Sequence, residues 1–332
     1  MQRSLKSLPN QKLAFLIRPC YHGVMKVIDL IHDSEHQLRL VYSDPITCHQ
    51  YAWWLLEKLT GKKKAQLIAQ ESVSLSTSDH NTLQKWLQNL VDEHKPIQYI
   101  LGSVPFNGID IIVKPPTLIP RPETEEWTCN LIEQLQTLRQ AQGERSEEPF
   151  AILDLCTGSG CIAVALAKAL PHATITAIDI AQSALLLTQE NAKHNDVANV
   201  ICLKSDLFNA LPEGGAFDLI VSNPPYITQD EWNTLDVSVT HWEDKRALVA
   251  QDHGLAIIER IIHDAPRFLK PNPDIQAHQI PQLTIEIGYQ QGPAVKQCMD
   301  TAGYKQTQII KDLEGKDRIV VGSISNDRPT HS

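Results

Sequence analysis

The chain has 332 residues, of which 42% are hydrophobic and 21% are charged, as is typical of a globular protein of about two domains. Its net charge of -9 argues against a protein that holds nucleic acid by neutralising many phosphates. No apolar run approaches the ~20 residues that span a bilayer. We therefore expect neither a nucleic acid as a stable partner nor a membrane.

The seven cysteines form no C-x-x-C pair and no cluster with histidine at metal-ligand spacing. Their odd number and irregular spacing indicate reduced thiols in an intracellular compartment. The sequence therefore predicts no metal site.

Residues 1–28 contain five arginines or lysines and no acidic residue, although the whole chain is acidic. This composition predicts a mitochondrial targeting segment and hence a mitochondrial location. The alternative is a basic N-terminal arm of a bacterial or cytosolic protein.

Residues 29–95 are predicted to form a small helical domain. Apolar residues recur at helical spacing in 48–61 and 79–94, with Gly61 ending the first helix and Asp79 capping the second.

Residues 96–121 read as a β-hairpin that links two domains, because β-type runs flank the turn-forming pair Asn107-Gly108. A further helix is predicted from Glu123 to about Arg139, with Pro122 in its first turn.

Residues 122–325 are predicted to form an α/β domain, followed by a tail at 326–332. Strands and helices alternate in this region, which indicates a doubly wound, mostly parallel sheet covered on both faces. Ligands of such folds lie beyond the carboxyl ends of the strands.

The first strand-to-helix turn of this domain contains Gly158 and Gly160, which allow a tight turn and a close approach of the backbone to a ligand. The next strand ends at Asp179, which is placed to accept hydrogen bonds from ribose hydroxyls. Alone, this pattern suits a dinucleotide equally well, and a tight turn without a nucleotide stays open.

Acidic or amide side chains stand at the ends of four successive predicted strands. They are Asp154, Asp179, Asp206 and Asn223. Such a row offers acceptors for an ammonium group, a ribose and an amino-purine, which S-adenosylmethionine carries together. This cofactor has no pyrophosphate, so no cluster of cations is needed.

The tetrapeptide 223–226, Asn-Pro-Pro-Tyr, directly follows the apolar strand 219–221. Its prolines stiffen the backbone and donate no hydrogen bonds. We expect an extended corner whose carbonyl oxygens are free to accept hydrogen bonds from a ligand, although a purely structural loop would look the same.

Four segments resemble class I methyltransferases of the Asn-Pro-Pro-Tyr type. They read DLCTGSGCIAVALA, ITAIDI, LKSDLF and IVSNPPYI. The segment 96–125 is similar to the linker of HemK-type enzymes, which methylate the N5 atom of a glutamine in peptide chain release factors. The resemblance covers roughly residues 45–322.

This resemblance implies S-adenosylmethionine as cofactor, a class 1 peptide chain release factor as partner, and a substrate-recognition role for the helical domain. The implied cofactor residues are Cys156, Thr157, Gly158, Ser159 and Gly160 around the methionine, Asp179 at the ribose, Asp206 and Leu207 along the adenine, and Asn223. The family usually has glycine at position 156, and residues 271–282 look inserted.

The chemistry of an amide explains the tetrapeptide. An amide nitrogen is a poor nucleophile because its lone pair is shared with the carbonyl. We expect the Asn223 side-chain oxygen and the Pro224 carbonyl to accept its two N–H bonds, and Tyr226 to pack against it. Pro225 completes the corner, and Arg121 is the candidate for closing the pocket.

Two other enzyme activities stay open on sequence grounds, since an adenine N6 amine offers the same flat NH2 group. They are methylation of adenine N6 in nucleic acid and of a glutamine in a ribosomal protein. A non-enzymatic scaffold that only binds the cofactor is a third alternative.

Overall fold

The computed structural model describes residues 23–142, 150–212, 214, 216–271, 275 and 277–324. These residues divide into two compact units between Glu93 and His94. The expected tail at 326–332, part of the expected insertion at 271–282, and residues 1–22 of the expected targeting segment lie outside the described residues.

The first unit is mainly helical. Its helices are α1 (Val27–Leu38), α2 (Pro45–Thr60), α3 (Lys64–Gln70) and α4 (Thr77–Asp92). Strand β1 (Gly23–Lys26) pairs antiparallel with β2 (Ser72–Leu75). Residues 23–28, which the sequence assigns to the targeting segment, form β1 and the start of α1.

The two predicted helix caps had different outcomes. Gly61 ends α2 in the left-handed conformation, with φ of 68°, as predicted. Asp79 does not cap α4, because the helix begins earlier and Ser76 is its N-cap. The carboxylate of Asp79 instead accepts the backbone N–H of Ser76 at 3.0 Å, which completes a capping box.

The second unit begins with the predicted hairpin and the following helix. The elements are α5 (Ile97–Leu101), β3 (Ser103–Phe106), β4 (Ile109–Ile112) and α6 (Pro122–Gln142). Asn107 and Gly108 between the two strands both have positive φ, 47° and 76°, as a tight reversal requires.

Seven strands of the described part of the second unit form one sheet. They are β5 (Ala151–Leu155), β6 (Thr174–Asp179), β7 (Val200–Lys204), β8 (Leu219–Ser222), β9 (Leu283–Glu286), β10 (Lys305–Lys311) and β11 (Asp317–Ser323). Their order across the sheet is β10-β11-β9-β8-β5-β6-β7. Only β11 runs antiparallel to its neighbours, so the sheet is mostly parallel.

Helices connect these strands. They are α7 (Cys161–Ala169), α8 (Gln182–His194), α9 (Gln229–Trp232), α10 (Val237–Trp242), α11 (Ala256–Asp264) and α12 (Gly292–Thr301). Buried apolar residues form one cluster with α6 and α7 and another with α11 and α12, and both include residues of the central strands. The predicted α/β fold with a mostly parallel sheet is confirmed.

The hairpin is attached to the second unit by hydrogen bonds to α8. The Asn191 side chain accepts the backbone N–H of Ile112 at 2.7 Å and donates to the Ile112 carbonyl at 3.0 Å. Asn195 donates to the Asp110 carbonyl at 2.9 Å. The segment predicted as a linker is thus structurally part of the second unit.

None of the described helices combines the length and the apolar character that crossing a membrane requires. Within the same residues, no group of three histidine, cysteine, aspartate or glutamate side chains is arranged to hold a metal ion.

Candidate active site

The candidate site lies at the carboxyl edge of the sheet, where the four neighbouring parallel strands β8, β5, β6 and β7 end side by side. Parallel neighbours end at the same edge, so the loops that follow Leu155, Asp179, Lys204 and Ser222 lie along one edge of the sheet. All the predicted site residues except Arg121 lie in or directly beside these loops.

Two glycines shape the turn after β5. Gly160 has φ of 79°, and a Cβ atom there would lie 2.6 Å from Cγ2 of Thr188, so no larger residue fits. Gly158 has φ of 56°, and a Cβ there would meet only the Cys156 carbonyl, at 4.0 Å. The space beside Gly158 is therefore open for a ligand that approaches the backbone.

Cys156 has φ of 61°, in the left-handed region that favours glycine. This conformation explains why the resembling family usually has glycine at this position. Burial raises the pKa of the Cys156 thiol, since a thiolate would be desolvated there.

Asp179 connects the ends of β5 and β6. Its carboxylate accepts the backbone N–H of Gly158 at 2.9 Å and that of Ala181 at 2.8 Å. Burial raises its pKa. The next residue, Ile180, is 62% exposed, an unusual degree for an apolar side chain that follows a buried strand. Sequence reasoning did not single out Ile180.

Asp154 is fully buried within β5. The Thr157 hydroxyl donates to its Oδ2 at 2.6 Å, whereas Oδ1 receives no hydrogen bond from the described residues. Burial raises the pKa of Asp154 to about 7.

Asp206 and Leu207 follow β7 and have different environments. Asp206 is half exposed and accepts a hydrogen bond from Arg260 Nη2 at 2.9 Å. Leu207 is 5% exposed, and its side chain packs in the apolar cluster that contains Leu155 and Ile178. Only Asp206 therefore presents a polar side chain at this strand end.

In the tetrapeptide that follows β8, some polar groups have hydrogen-bond partners in the described residues and others do not. Asn223 Nδ2 donates to Thr124 Oγ1 at 3.1 Å, and Gln291 Nε2 donates to the Tyr226 carbonyl at 2.9 Å. Among the residues that the structure describes, none donates to Asn223 Oδ1 or to the carbonyl of the buried Pro224. These are the two oxygens that the sequence predicts as acceptors.

A buried carboxylate lies behind the tetrapeptide. Glu286, at the end of β9, is 1% exposed and accepts hydrogen bonds from three side chains. The donors are Thr124 Oγ1 at 2.7 Å, Trp127 Nε1 at 2.8 Å and Tyr226 OH at 3.3 Å. Burial raises the pKa of Glu286.

Sequence reasoning missed both Thr124 and Glu286. The available signal was a lone glutamate inside the apolar strand run LTIEIG, since a carboxylate in a buried strand needs polar partners.

Arg121 is held by a second buried carboxylate. Its Nη2 donates to both oxygens of Glu243, at 2.7 and 2.8 Å, and the Glu243 side chain is 1% exposed. Two acids near the start of α6 have structural partners. Glu125 accepts the backbone N–H of Asn107 at 2.6 Å, and Glu126 accepts that of Leu313 at 3.3 Å.

These features fit S-adenosylmethionine. Open space beside Gly158 leaves room for the methionine part, and Asp179 keeps lone pairs for ribose hydroxyls. The exposed Ile180 offers an apolar surface to the adenine ring. No group of cations for a pyrophosphate is needed.

Fold and site define the class of protein as a methyltransferase. The family model named Methyltransferase small domain matches residues 128–241, and the model named PrmC N-terminal domain matches residues 30–102. A solved ribosomal protein L11 methylase from Lactobacillus delbrueckii subsp. bulgaricus is 20% identical, with a TM-score of 0.39, and the match covers 62% of this chain and 80% of that one.

The particular family follows from two relatives. A release factor glutamine methyltransferase of Streptococcus pneumoniae is 41% identical, over 69% of this chain and 75% of its own length. Another, of Salmonella typhimurium, is 35% identical over 88% of this chain and 96% of its own. The chain belongs to the release factor glutamine methyltransferase family.

Proposed function

We propose that this protein transfers a methyl group from S-adenosylmethionine to the side-chain amide nitrogen, N5, of a glutamine in a class 1 peptide chain release factor, and so supports translation termination. The observation that carries this proposal is a pair of oxygens, Asn223 Oδ1 and the Pro224 carbonyl, to which no described residue donates, at the same sheet edge as the open space beside Gly158. Membership of the release factor glutamine methyltransferase family supports the choice of substrate.

Two fixed acceptors suit a glutamine amide because its nitrogen carries two N–H bonds in one plane. As the N–C bond forms, positive charge develops on nitrogen, and acceptors already in place stabilise that charge. The cofactor supplies the methyl group on a sulfonium. Holding the amide in line with it provides much of the remaining rate enhancement.

The other predicted residues have supporting roles in this proposal. The turn 156–160 and Asp179 hold the methionine and ribose parts of the cofactor, and Asp206 lines the adenine site. Tyr226 packs against the substrate amide, and Pro225 keeps the corner extended. Arg121 closes the pocket from the segment that precedes α6.

Incubation with labelled S-adenosylmethionine and three substrates tests the proposal. The substrates are a full-length class 1 release factor, duplex DNA and a ribosomal protein extract. We expect label on the release factor alone, with mass spectrometry placing one methyl group on a glutamine. Label confined to DNA or to a ribosomal protein would refute the proposed substrate.

A mitochondrial address, and with it a mitochondrial release factor, is a separate proposal that rests on the basic, acid-free composition of residues 1–28. Because β1 pairs with β2, a cleavage that leaves the first unit intact has to fall before Gly23. Import of the full chain into isolated mitochondria should yield a product shortened by at most 22 residues. An unprocessed chain that stays outside the organelle would contradict this address.

A further inference from the structure

The direction of the Asn223 amide decides what the tetrapeptide can bind. An asparagine side chain presents an acceptor oxygen on one side and a donor NH2 group on the other. If the amide were turned over, NH2 would meet the NH2 group of a substrate and the acceptor would be lost. Something in the protein therefore has to select one of two orientations of nearly equal shape.

The selection begins at Trp127. The indole N–H donates to Glu286 Oε2 at 2.8 Å, and an indole nitrogen has no capacity to accept. An ionised carboxylate has no proton to donate, so Oε2 can only accept from its other partner as well. The second oxygen, Oε1, accepts the Tyr226 hydroxyl.

Thr124 lies between Glu286 and Asn223 and is hydrogen-bonded to both. Its hydroxyl has one proton, which it donates to Glu286 Oε2 at 2.7 Å, so only lone pairs remain on Oγ1. Those lone pairs accept Asn223 Nδ2 at 3.1 Å. The Asn223 oxygen is thereby turned away from α6, where no described residue donates to it.

We infer that Thr124 and Glu286 are positioning residues that, with Trp127, hold the Asn223 amide in the one orientation that offers its oxygen to the substrate. The inference rests on the proposed function, because only an NH2-bearing substrate needs an acceptor there. Neither residue touches the reacting atoms, and each acts through Asn223. The Glu286 carboxyl also orients the Tyr226 hydroxyl, so one buried group serves both ends of the tetrapeptide.

Thr124→Val tests the inference, since it removes the hydroxyl while keeping the shape. We expect kcat for release-factor methylation to fall about tenfold, as for the loss of one hydrogen-bond partner. The KM for S-adenosylmethionine should stay unchanged, and Thr124→Ser should restore most of the turnover.

Thr128→Val is the matched control. Thr128 is a buried threonine one turn along the same helix, whose hydroxyl donates to the Thr124 backbone carbonyl at 2.7 Å. The Thr128→Val variant also removes a buried hydroxyl from α6. It keeps the relay, meaning the hydrogen bonds of Trp127 and Thr124 to Glu286 and of Asn223 to Thr124, so kcat should stay near the wild-type value. An equal loss in both valine variants would overturn the inference.

A double-mutant cycle separates positioning from general stability. In an Asn223→Ala background there is no amide to orient, so Thr124→Val should change kcat less than about twofold. A further tenfold loss in that background would show that Thr124 acts by another route.

Hydrogen exchange of the Asn223 side-chain NH2, followed by NMR of the full chain, needs no substrate. One Nδ2 proton should be protected in the wild type and exchange faster in Thr124→Val, with no such change in Thr128→Val. If the wild type leaves release factor unmethylated but shows this pattern, the proposed substrate fails and the relay stands. If the wild type methylates release factor but the Asn223 Nδ2 proton exchanges equally fast in all variants, the positioning role of Thr124 and Glu286 is refuted and the proposed function is not.

Discussion

Arg121 donates to both carboxylate oxygens of Glu243 from a single guanidinium nitrogen, so the start of α6 is tied to the segment that follows α10. Glu243 is almost completely buried, whereas one third of the Arg121 side chain is exposed. Burial raises the pKa of Glu243, although the guanidinium opposes this shift.

Arg121→Met should therefore destabilise the protein by about 2 kcal/mol, because it leaves a buried carboxylate without its cation. The exposure of Arg121 keeps the loss below the range for fully buried pairs. The folded-state pKa of Glu243 lies above its unfolded value, so its ionisation costs stability as pH rises, and the difference between variant and wild type should grow with pH. Urea unfolding at several pH values measures it. The added change Glu243→Gln should recover part of the loss, and no recovery would exclude charge as its cause.

Asn223→Ala should lower turnover by about 10²–10³, the usual scale for loss of one polar group that stabilises a transition state. Cofactor affinity should change much less, since the variant keeps the glycine turn and Asp179. Asn130→Ala, at an exposed position on α6, is the control and should leave turnover unchanged. Near-normal turnover of Asn223→Ala would refute the proposed role of its oxygen.

Asp179→Asn should weaken S-adenosylmethionine binding about tenfold or more, because hydrogen bonds to a charged acceptor are among the stronger ones. The amide also has only one acceptor oxygen, whereas the two carboxylate oxygens of Asp179 accept the backbone N–H groups of Gly158 and Ala181 separately. Isothermal titration calorimetry gives the affinity. The comparison is Asp264→Asn at the end of α11, outside the site, whose partly exposed ion pair with Arg267 contributes little. Equal losses in the two variants would remove the special role of Asp179.

Asp154 gives a pH dependence of stability with a defined sign. Its folded-state pKa of about 7 lies above the ordinary aspartate pKa of 3.8, so between these two pH values the folded state holds a proton that the unfolded state has lost. Stability should fall as pH rises through this window, by a total on the order of 4 kcal/mol. Asp154→Asn should lack this part of the fall, as unfolding curves at pH 4 to 8 would reveal. Parallel curves for the two proteins would contradict it.

Cys156→Gly and Cys156→Ala form a matched pair, since both remove the thiol. Only alanine retains a Cβ atom in the left-handed conformation, at a cost of about 1 kcal/mol. The glycine variant should therefore be the more stable by about this amount in urea unfolding. An alanine variant of equal or greater stability would mean that the turn relaxes to another conformation.

The sequence was most informative where a feature depends on neighbours along the chain. Alternating apolar runs and glycine turns predicted the mostly parallel sheet and the shared edge at which Asp179, Asp206 and Asn223 lie. The turn Asn107-Gly108 was also predicted from the sequence, because few pairs of residues adopt positive φ at two successive positions.

Features that depend on distant pairing were not predicted. Thr124 and Glu286 are separated by 162 residues in sequence, and nothing local indicates that a first-turn threonine meets a strand-end glutamate. Leu207 had been assigned to the adenine site, whereas its side chain packs in the apolar cluster. Asp79 was predicted as the cap, whereas the hydrogen bonds make Ser76, three residues earlier, the N-cap.

The Asn191 side chain has one more partner, since its Nδ2 also donates to the carbonyl of Ser159 in the glycine turn, at 2.9 Å. One amide therefore joins the backbone of β4 to the glycine turn, which we propose as the site of the methionine part of the cofactor. If cofactor binding orders the glycine turn, it should also slow deuterium uptake at the Ile112 amide, which donates to Asn191. The exchange rate of this hairpin amide should therefore depend on whether the cofactor is bound.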